Sequence, residues 1–373
     1  MLHTKYSKLF VPSAHGRYFL AHSIGLMPKS TEAAFKTNFL DAWHSGAEDI
    51  WPRWLASISE FNSSLAALLN TQPSLICPQS NVSSGLSKLI MALPKRTGKN
   101  VILASESDFP SAAFVLQQAE RLGYTLRFIP KSQDLQDLST WEQALTSDVH
   151  TAFITHVHYN TNTLTPINDI AEVCHARGIT SIVDSAQAIG IVPIDLSESK
   201  IDVVLGSCIK WLCGGPGAGF LWINKELISQ LEPYDVGWFS HKNPFEFDLH
   251  NFEYAEDASR FWGGTPSVAA YVGASNSIRL IHTTGIDVIQ AHNRELTQRL
   301  MNAVPEDSIV SPKDLTKKGG TTVLKFADQS KVEQALRDNK ILFDARQLGI
   351  RVSPHIYSTP DDIDCLVDCL TKL

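Results

Sequence analysis

The sequence predicts an α/β fold, with a large domain built on a mostly parallel central sheet flanked by helices and a smaller α+β domain at the carboxyl end. Two observations support this prediction. Short apolar or β-branched runs alternate with amphipathic segments as far as about Arg260, which is typical of a parallel sheet with helices between its strands. Beyond Arg260 the alternation ends and longer helical patterns begin.

The elements of the first part follow from these runs. Strands are predicted at residues 101–103, 126–129, 152–155, 181–183, 203–205 and 219–223, and helices at residues 84–93, 111–122, 167–177 and 224–231. Several of the helices open on Ser, Pro or Asn and close at Gly, which are typical helix boundaries. In open sheets of this kind the ligand lies beyond the carboxyl ends of the strands, so functional residues are expected there.

The second part predicts two long helices, residues 266–282 and 286–301, a strand at 321–326 and a final helix that begins at Asp361. We therefore expect an amino-terminal arm at residues 1–45 that belongs to neither sheet, a large domain at 46–259 and a small domain at 260–373. Because no Gly/Ser-rich linker separates these parts, tight packing between them is expected.

Composition excludes several classes of protein. The chain has 373 residues and a net charge of −7, and no basic run is longer than Lys317-Lys318, which argues against a nucleic-acid partner. No apolar stretch approaches the ~18 residues of a membrane span. The first residues lack the apolar core of a signal peptide, and the six scattered cysteines form no CxxC pair, so a cytoplasmic protein with reduced thiols is predicted.

The predicted strand ends offer complementary chemical groups. A hydroxyl-rich turn at residues 81–85 opens a helix, where an anion is stabilised. Phe109, Asp184 and Lys210 follow other strands and supply an aromatic surface, an acid and a potential imine-forming amine. These groups together are what pyridoxal phosphate requires: a phosphate site, a stacking ring, an acid for the ring nitrogen and a lysine.

Two segments resemble class V aminotransferases of fold type I, and the resemblance extends over nearly the whole chain. The run from Ile182 to Gly190 is similar to the family's strand with its cofactor acid. The run from Lys210 to Gly217 is similar to its Schiff-base lysine and glycine-rich exit. The resemblance implies the fold type I architecture, pyridoxal 5′-phosphate as cofactor, a small amino-acid substrate and a homodimer with shared active sites.

Four further segments resemble the kynureninase branch of that superfamily: residues 18–28, 109–111, 237–241 and 344–354. Four positions depart from the branch. Ile209 replaces a tyrosine, His22 an asparagine, Ala112 an acid and Gln187 a histidine. The segment at residues 260–266 is closer to general class V sequences. The substrate side chain is therefore not predicted.

The resemblance implies roles for the cofactor-binding residues. Lys210 would form the imine and shuttle the Cα proton, Asp184 would keep the ring nitrogen protonated, and Gln187 would bond the ring's 3′-oxygen. Phe109 would stack on the ring. Phosphate contacts are expected from Val82, Ser83, Ser84 and Ser207, with a further hydroxyl from Thr265 of the second subunit. Trp238 would contribute to the site across the dimer interface.

Substrate contacts are implied as well. Arg351 would bind the α-carboxylate in a bidentate manner, with Arg346 as a second candidate. Tyr159 and His22 are further candidates on the substrate side.

Plainer roles compete with these assignments. The serines and Asp184 are also good helix caps, and Phe109 and Trp238 are also typical core residues. Arg351 has a structural ion pair with Asp344 or Asp361 as its alternative. His156 and His158 alternate on one strand face as metal ligands do, but no third ligand is identified, so no metal is predicted.

Two reactions remain open. A kynureninase-like enzyme cleaves a Cβ–Cγ bond by hydrolysis, whereas a class V aminotransferase transfers the amino group to a keto acid; the first is favoured. A cysteine desulfurase, lyase or epimerase is less favoured, since no cysteine lies between Val272 and Arg351. A non-catalytic binding protein is disfavoured because both Lys210 and Asp184 are present.

Overall fold

The computed structural model describes residues 5–46 and 48–371. Its strands are β1 (Arg17–Tyr18), β2 (Ile76–Gln79), β3 (Val101–Ser105), β4 (Thr125–Ile129), β5 (Val149–Thr155), β6 (Thr180–Asp184), β7 (Val203–Ser207), β8 (Gly219–Ile223), β9 (Thr322–Leu324), β10 (Ile341–Leu342), β11 (Asp344–Arg346) and β12 (Gly349–Val352). All six predicted strands of the first part are present, most of them longer than predicted.

The α-helices alternate with these strands. They are α1 (Thr31–Phe35), α2 (Asp41–His44), α3 (Trp51–Leu69), α4 (Val82–Ala92), α5 (Pro110–Gln118), α6 (Leu138–Ala144), α7 (Ile167–Ala176), α8 (Lys225–Ile228), α9 (Ala269–Thr284), α10 (Ile286–Ala303), α11 (Gln329–Asp338) and α12 (Pro360–Thr371). Helix α8 is shorter than predicted. Asn224 caps it by accepting a hydrogen bond from the N–H of Glu226, and it ends after a single turn. Within the described part of the chain, no helix is long and apolar enough to cross a membrane.

The central sheet has seven strands in the order β2-β8-β7-β6-β5-β3-β4. The strands from β7 to β4 are parallel, whereas β8 runs antiparallel to both β7 and β2. Strand β2 was not predicted, because Pro78 interrupts its apolar run. Proline is tolerated there because β2 is an edge strand. The mostly parallel sheet predicted from the sequence is thus confirmed, with β8 as the antiparallel exception.

Alternate strand residues fill two apolar layers on opposite faces of this sheet. On β5, Ile154 belongs to one layer and Phe153 to the other. Helices α3, α7 and α9 cover the first face, and α4 and α5 cover the second. A parallel sheet that is buried on both faces leaves only its strand ends open, so these ends are where polar residues can meet a ligand.

Helix α9 lies after the predicted boundary at residue 259, yet it packs against α3 beneath the central sheet. The rings of Phe61 on α3 and Tyr271 on α9 are 4.9 Å apart. An apolar helical stripe predicts burial but does not identify the surface that covers it. The domain limits at residues 45 and 259 therefore remain a proposal.

The smaller α+β unit is built on an antiparallel sheet in the order β11-β12-β9. Helices α10, α11 and α12 pack on it around Leu300, Leu336 and Leu366. The amino-terminal arm was expected to belong to neither sheet. Its described residues, 5–45, join neither the seven-stranded nor the three-stranded sheet, but strand β1 pairs in parallel with β10. The arm is therefore bonded to the carboxyl-terminal part of the chain.

Candidate active site

A cavity of about 230 Å³ lies at the carboxyl ends of β5, β6 and β7. Eight of the predicted site residues line it: Val82, Ser83, Phe109, Tyr159, Asp184, Gln187, Ser207 and Lys210. These residues come from five segments of the chain and meet because the parallel strands end at one edge of the sheet. The strand-end argument therefore located most of the site.

Lys210 lies in a tightly bonded loop after β7. The N–H of Cys213 donates to the carbonyl of Lys210, and the N–H of Gly214 donates to the carbonyl of Cys208. The Nζ of Lys210 lies 5.9 Å from the centre of the Phe109 ring and has no hydrogen-bond or ion-pair partner among the described residues. Burial lowers the pKa of Lys210, while the charge of Asp184 opposes that shift. A lysine whose pKa is lowered is a better nucleophile and base near neutral pH.

Asp184 is the last residue of β6 and is buried beside the cavity. One of its oxygens accepts a hydrogen bond of 2.9 Å from the N–H of Ala186, so the residue caps the following turn and also faces the site. Burial raises the pKa of Asp184, and the charge of Lys210 opposes that shift. A buried carboxylate of this kind needs a cationic or N–H partner, which a protonated ring nitrogen supplies.

Helix α4 begins at the cavity. Asn81 is its cap, and the side chains of Asn81 and Ser84 form a reciprocal capping box. Val82 and Ser83 line the cavity with first-turn N–H groups, which have no acceptor within a helix and attract anions. Ser84 was predicted to contact a phosphate. It does not line the cavity, because its hydroxyl is bonded to Asn81 and Ser80 instead.

Phe109 and Gln187 form further walls of the cavity. Phe109 is 47% exposed, which argues against the alternative that it is a core residue. Its ring packs edge-to-face on Tyr159 with 5.1 Å between centres. The side-chain amide of Gln187 donates a 3.1 Å hydrogen bond to the carbonyl of His22, so the arm holds Gln187 in place.

His22 does not reach the cavity. Its Nδ1 lies 2.6 Å from the hydroxyl of Ser353, and the ring is buried. Burial lowers the pKa of His22 to about 4, which leaves it neutral near pH 7. The substrate contact expected of His22 stays a prediction, since in this structure the residue connects the arm to Ser353, directly after β12, and to Gln187.

Trp238 and Thr265 also lie away from the cavity. Trp238 packs among surface aromatic residues, with Trp51 at 5.4 Å and Phe247 at 5.9 Å between ring centres, and Thr265 is exposed. The hydroxyl of Ser240 accepts from the N–H groups of both Gly237 and Gly263, which ties the two segments into one unit. Neither residue contributes to the site of its own chain.

Arg351 lies one layer behind the cavity wall. Its Nη1 donates a 2.9 Å hydrogen bond to the carbonyl of Tyr159, and its Nη2 is paired with the carboxylate of Asp344. The structural ion pair with Asp344 that was weighed as an alternative is therefore formed, whereas Asp361 pairs with Arg17. Arg351 does not line the cavity in this arrangement.

The two strand histidines have separate environments. His158 bonds to the carbonyl of Ser107 at 3.3 Å and to the hydroxyl of Thr165 at 3.2 Å. His156 is buried, and burial lowers its pKa to about 3. In the parts of the chain that the structure describes, no three potential ligands cluster in a way that could hold a metal ion.

Two residues at the site were not singled out from the sequence. Thr155 lines the cavity, and its hydroxyl donates a 2.7 Å hydrogen bond to Asp108. Burial raises the pKa of Asp108 to about 7, and the charge of Asp184 adds to the shift. The signal in the sequence is that Thr155 ends a predicted strand. In the structure it pairs with Asp184 on the neighbouring strand β6.

The groups around the cavity fit pyridoxal phosphate. A lysine with no hydrogen-bond or ion-pair partner among the described residues, a buried acid, an exposed aromatic ring and a helix start with hydroxyls surround one cavity. Together with the sheet topology, this set defines the fold type I class of pyridoxal-phosphate-dependent enzymes. Within that class, the chain belongs to the class V aminotransferase family, whose model matches residues 30–366.

Known proteins resemble the chain over most of its length. A kynureninase of Bacillus anthracis is 27% identical, with 95% of this chain and 88% of the relative covered. The "uncharacterized aminotransferase YcbU" of Bacillus subtilis is 25% identical, with 85% and 84% covered. A solved structure of a cysteine desulfurase from Thermococcus onnurineus superposes with a TM-score of 0.87 at 20% identity, covering 99% of this chain and 98% of the other. The predicted fold, family and cofactor are thereby confirmed.

Proposed function

We propose that this pyridoxal-phosphate enzyme acts on an amino acid by kynureninase-like hydrolysis of a Cβ–Cγ bond. The observation that carries the proposal is the Lys210 amine, which lies at the cavity beside Asp184 and has no hydrogen-bond partner in the described part of the chain. The kynureninase relative, which matches 95% of this chain, supports the choice of reaction.

Each lining residue has a task in this proposal. When bound, pyridoxal phosphate supplies an electron sink for negative charge at the substrate Cα. Lys210 carries the cofactor and then moves the Cα proton, for which its lowered pKa is suited. Asp184 keeps a proton on the ring nitrogen, and Phe109 covers one ring face. Gln187 bonds the ring oxygen in this proposal.

The remaining cavity groups hold the phosphate and the substrate. The N–H groups of Val82 and Ser83 and the hydroxyl of Ser207 point to an anion site at the start of α4. Arg351 binds the α-carboxylate of the amino acid, which its contact with Tyr159 at the cavity wall supports. Hydrolysis further requires a water molecule at a carbonyl carbon of the substrate side chain.

Transfer of the amino group to a keto acid is the second candidate. Ala112 is a buried cavity residue where the kynureninase branch is expected to have an acid, so one polar contact to the substrate or cofactor is missing. The similarity to an aminotransferase of Bacillus subtilis also favours this reaction.

Sulfur transfer from cysteine is less favoured. The residues that line the described cavity include no cysteine. Burial raises the pKa of the nearby Cys208 thiol to about 12, so it is not a nucleophilic thiolate at neutral pH.

The functional unit in this proposal is a homodimer in the cytoplasm. Trp238 and Thr265, which do not serve the site of their own chain, complete the site of the other subunit. An aromatic surface on which Trp43 and Phe247 are exposed and Trp238 is half-buried supports burial against a second copy. The six free cysteines support a reducing compartment.

The deciding experiment is a titration of the cofactor-loaded protein with kynurenine, 3-hydroxykynurenine, alanine and cysteine, with products identified by mass. Anthranilate and alanine formed from kynurenine are the expected result. Release of a keto acid without an aryl product would establish the aminotransferase instead. Lys210→Ala is the control variant and is expected to form no product.

The dimer is tested by light scattering and by mixing two inactive variants. Lys210→Ala subunits mixed with Thr265→Ala subunits form mixed dimers in which one site has both residues intact. Partial recovery of activity on mixing is expected. A fully active monomer contradicts the shared site.

A further inference from the structure

The guanidinium of Arg351 is only partly used in this structure. Nη1 donates to the carbonyl of Tyr159, Nη2 is paired with Asp344, and Nε is buried without a hydrogen-bond partner in the described chain. A bidentate carboxylate on Arg351 needs two neighbouring N–H groups, such as those of Nε and Nη2. Asp344 therefore occupies half of the edge that an incoming carboxylate needs.

Asp344 also has a second cationic neighbour. The Nη2 of Arg346 lies 3.5 Å from the same oxygen of Asp344, and its side chain is 57% exposed. His22 is at the same distance of 3.5 Å, but it is neutral near pH 7 and does not compete for the negative charge. Asp344 and Arg346 lie on the short strand β11, whereas Arg351 lies on β12.

We propose that the carboxylate of Asp344 occupies Arg351 until a substrate binds. The substrate carboxylate then displaces Asp344 from Arg351, and Asp344 stays paired with Arg346. Arg351 then exchanges one carboxylate for another, so its buried charge is never left without a counter-ion. An amine that has no carboxylate offers nothing to exchange and leaves the Asp344–Arg351 pair closed. This inference rests on the proposed function, in which Arg351 binds the α-carboxylate.

As a consequence, the enzyme selects amino acids over simple amines by their carboxylate, before it contacts the side chain of the substrate. In the exchange, the Asp344 carboxylate shifts between two arginines that it already approaches. Asp344 is thus a residue that sets specificity through Arg351, and it does not itself touch the cofactor.

The test compares L-alanine with ethylamine, which lacks the carboxylate. Dissociation constants are measured from the absorbance change of the cofactor-loaded protein. Asp344→Asn removes the competing charge, so L-alanine is expected to bind about tenfold more tightly. Ethylamine is expected to bind as it does to the unaltered protein.

Arg346→Ala is a second and independent variant that leaves the buried pair intact. It removes the alternative partner of Asp344, and because that contact is exposed, L-alanine is expected to bind about two- to fivefold more weakly. Asp361→Asn is the matched control. It removes the same charge from an exposed pair with Arg17 and is expected to change neither constant.

An unchanged or weaker affinity of Asp344→Asn for L-alanine, or an unchanged affinity of Arg346→Ala, overturns the exchange. Arg351→Ala separates this failure from failure of the proposed function. If that variant still prefers L-alanine over ethylamine, Arg351 is not the carboxylate site and the proposed role itself is wrong. If Arg351→Ala loses the preference for L-alanine while Asp344→Asn binds L-alanine as the unaltered protein does, only the exchange is excluded.

Discussion

The backbone N–H of Gly25 donates a 2.8 Å hydrogen bond to the carbonyl of Ile209, the residue directly before Lys210. The approach is so close that a Cβ at Gly25 would lie 2.3 Å from the carbonyl oxygen of Lys210 and 2.5 Å from the sulfur of Cys213. The arm and the lysine loop therefore form one packed unit. The position of Lys210 depends on a residue 185 positions earlier in the chain (210 − 25).

Gly25→Ala is expected to move the lysine loop and weaken the protein. Overpacking of this kind costs about 1–3 kcal/mol in the free energy of unfolding, measured by urea denaturation. The variant should also attach pyridoxal phosphate to Lys210 more slowly. Ser23→Ala, an exposed change two residues away, is the control and should remain within about 0.5 kcal/mol of the parent. If both variants have the same free energy of unfolding, the close contact of Gly25 with the lysine loop does not contribute to stability.

Asp184→Asn is expected to retain the cofactor but lose most activity. The amide fills the same space, yet it provides no charge to keep a ring nitrogen protonated, so turnover should fall about 100-fold or more. Steady-state kinetics and the cofactor absorbance measure the two effects separately. Asp195→Asn, a change on an exposed loop, should leave both unaffected. Full turnover in Asp184→Asn is the result that contradicts this role.

The Thr155 hydroxyl is expected to stabilise the buried carboxyl of Asp108. Thr155→Val removes the donor of the 2.7 Å hydrogen bond and should lower the free energy of unfolding by about 1–3 kcal/mol. Thr155→Ser keeps the hydroxyl and should recover much of that loss. Urea denaturation at pH 7.5 distinguishes the two. If valine is tolerated and serine is the destabilising change, the methyl group and not the hydroxyl is important.

Buried His156 should make the protein less stable in mild acid. Its pKa is about 3 in the folded chain against an ordinary 6.5, so the unfolded chain binds the proton more readily. Stability is therefore retained above pH 6.5 and lost as the pH falls below it. Between pH 7.5 and pH 5 the contribution of this residue is about 2 kcal/mol.

His156→Gln is expected to lose less stability than the parent over the same pH interval. Thermal unfolding at the two pH values measures the difference. The exposed His250→Gln is the control and should follow the parent. A parallel pH dependence in all three proteins would contradict a buried, neutral His156.

The strand-end residues were predictable because topology alone decides where they meet. Asp184 and Lys210 each follow a short apolar run, and parallel strands bring such positions to one edge. Phe109 is reached by the same argument, since its loop follows β3. These predictions need no knowledge of side-chain contacts.

For other predicted residues, a structural partner competes for the same side chain. Ser84 is one helical position beyond Ser83, and its hydroxyl is taken by the capping box. Arg351 matches a carboxylate-binding pattern, yet its partner Asp344 is only seven residues away and reaches it first. A sequence motif identifies the hydrogen-bonding side chain but not its acceptor, because the packing of the folded chain decides which acceptor lies within reach.

The pairing of β1 with β10 has a consequence for how the chain is made. Arg17 lies opposite Ile341, 324 residues later (341 − 17). At typical synthesis rates, roughly 15 to 65 seconds pass between the appearance of these two strands. During that interval the arm has no strand to pair with, and the link from Gln187 to His22 has no support from β12. The arm therefore reaches its final place only near the end of translation, after the central sheet is complete.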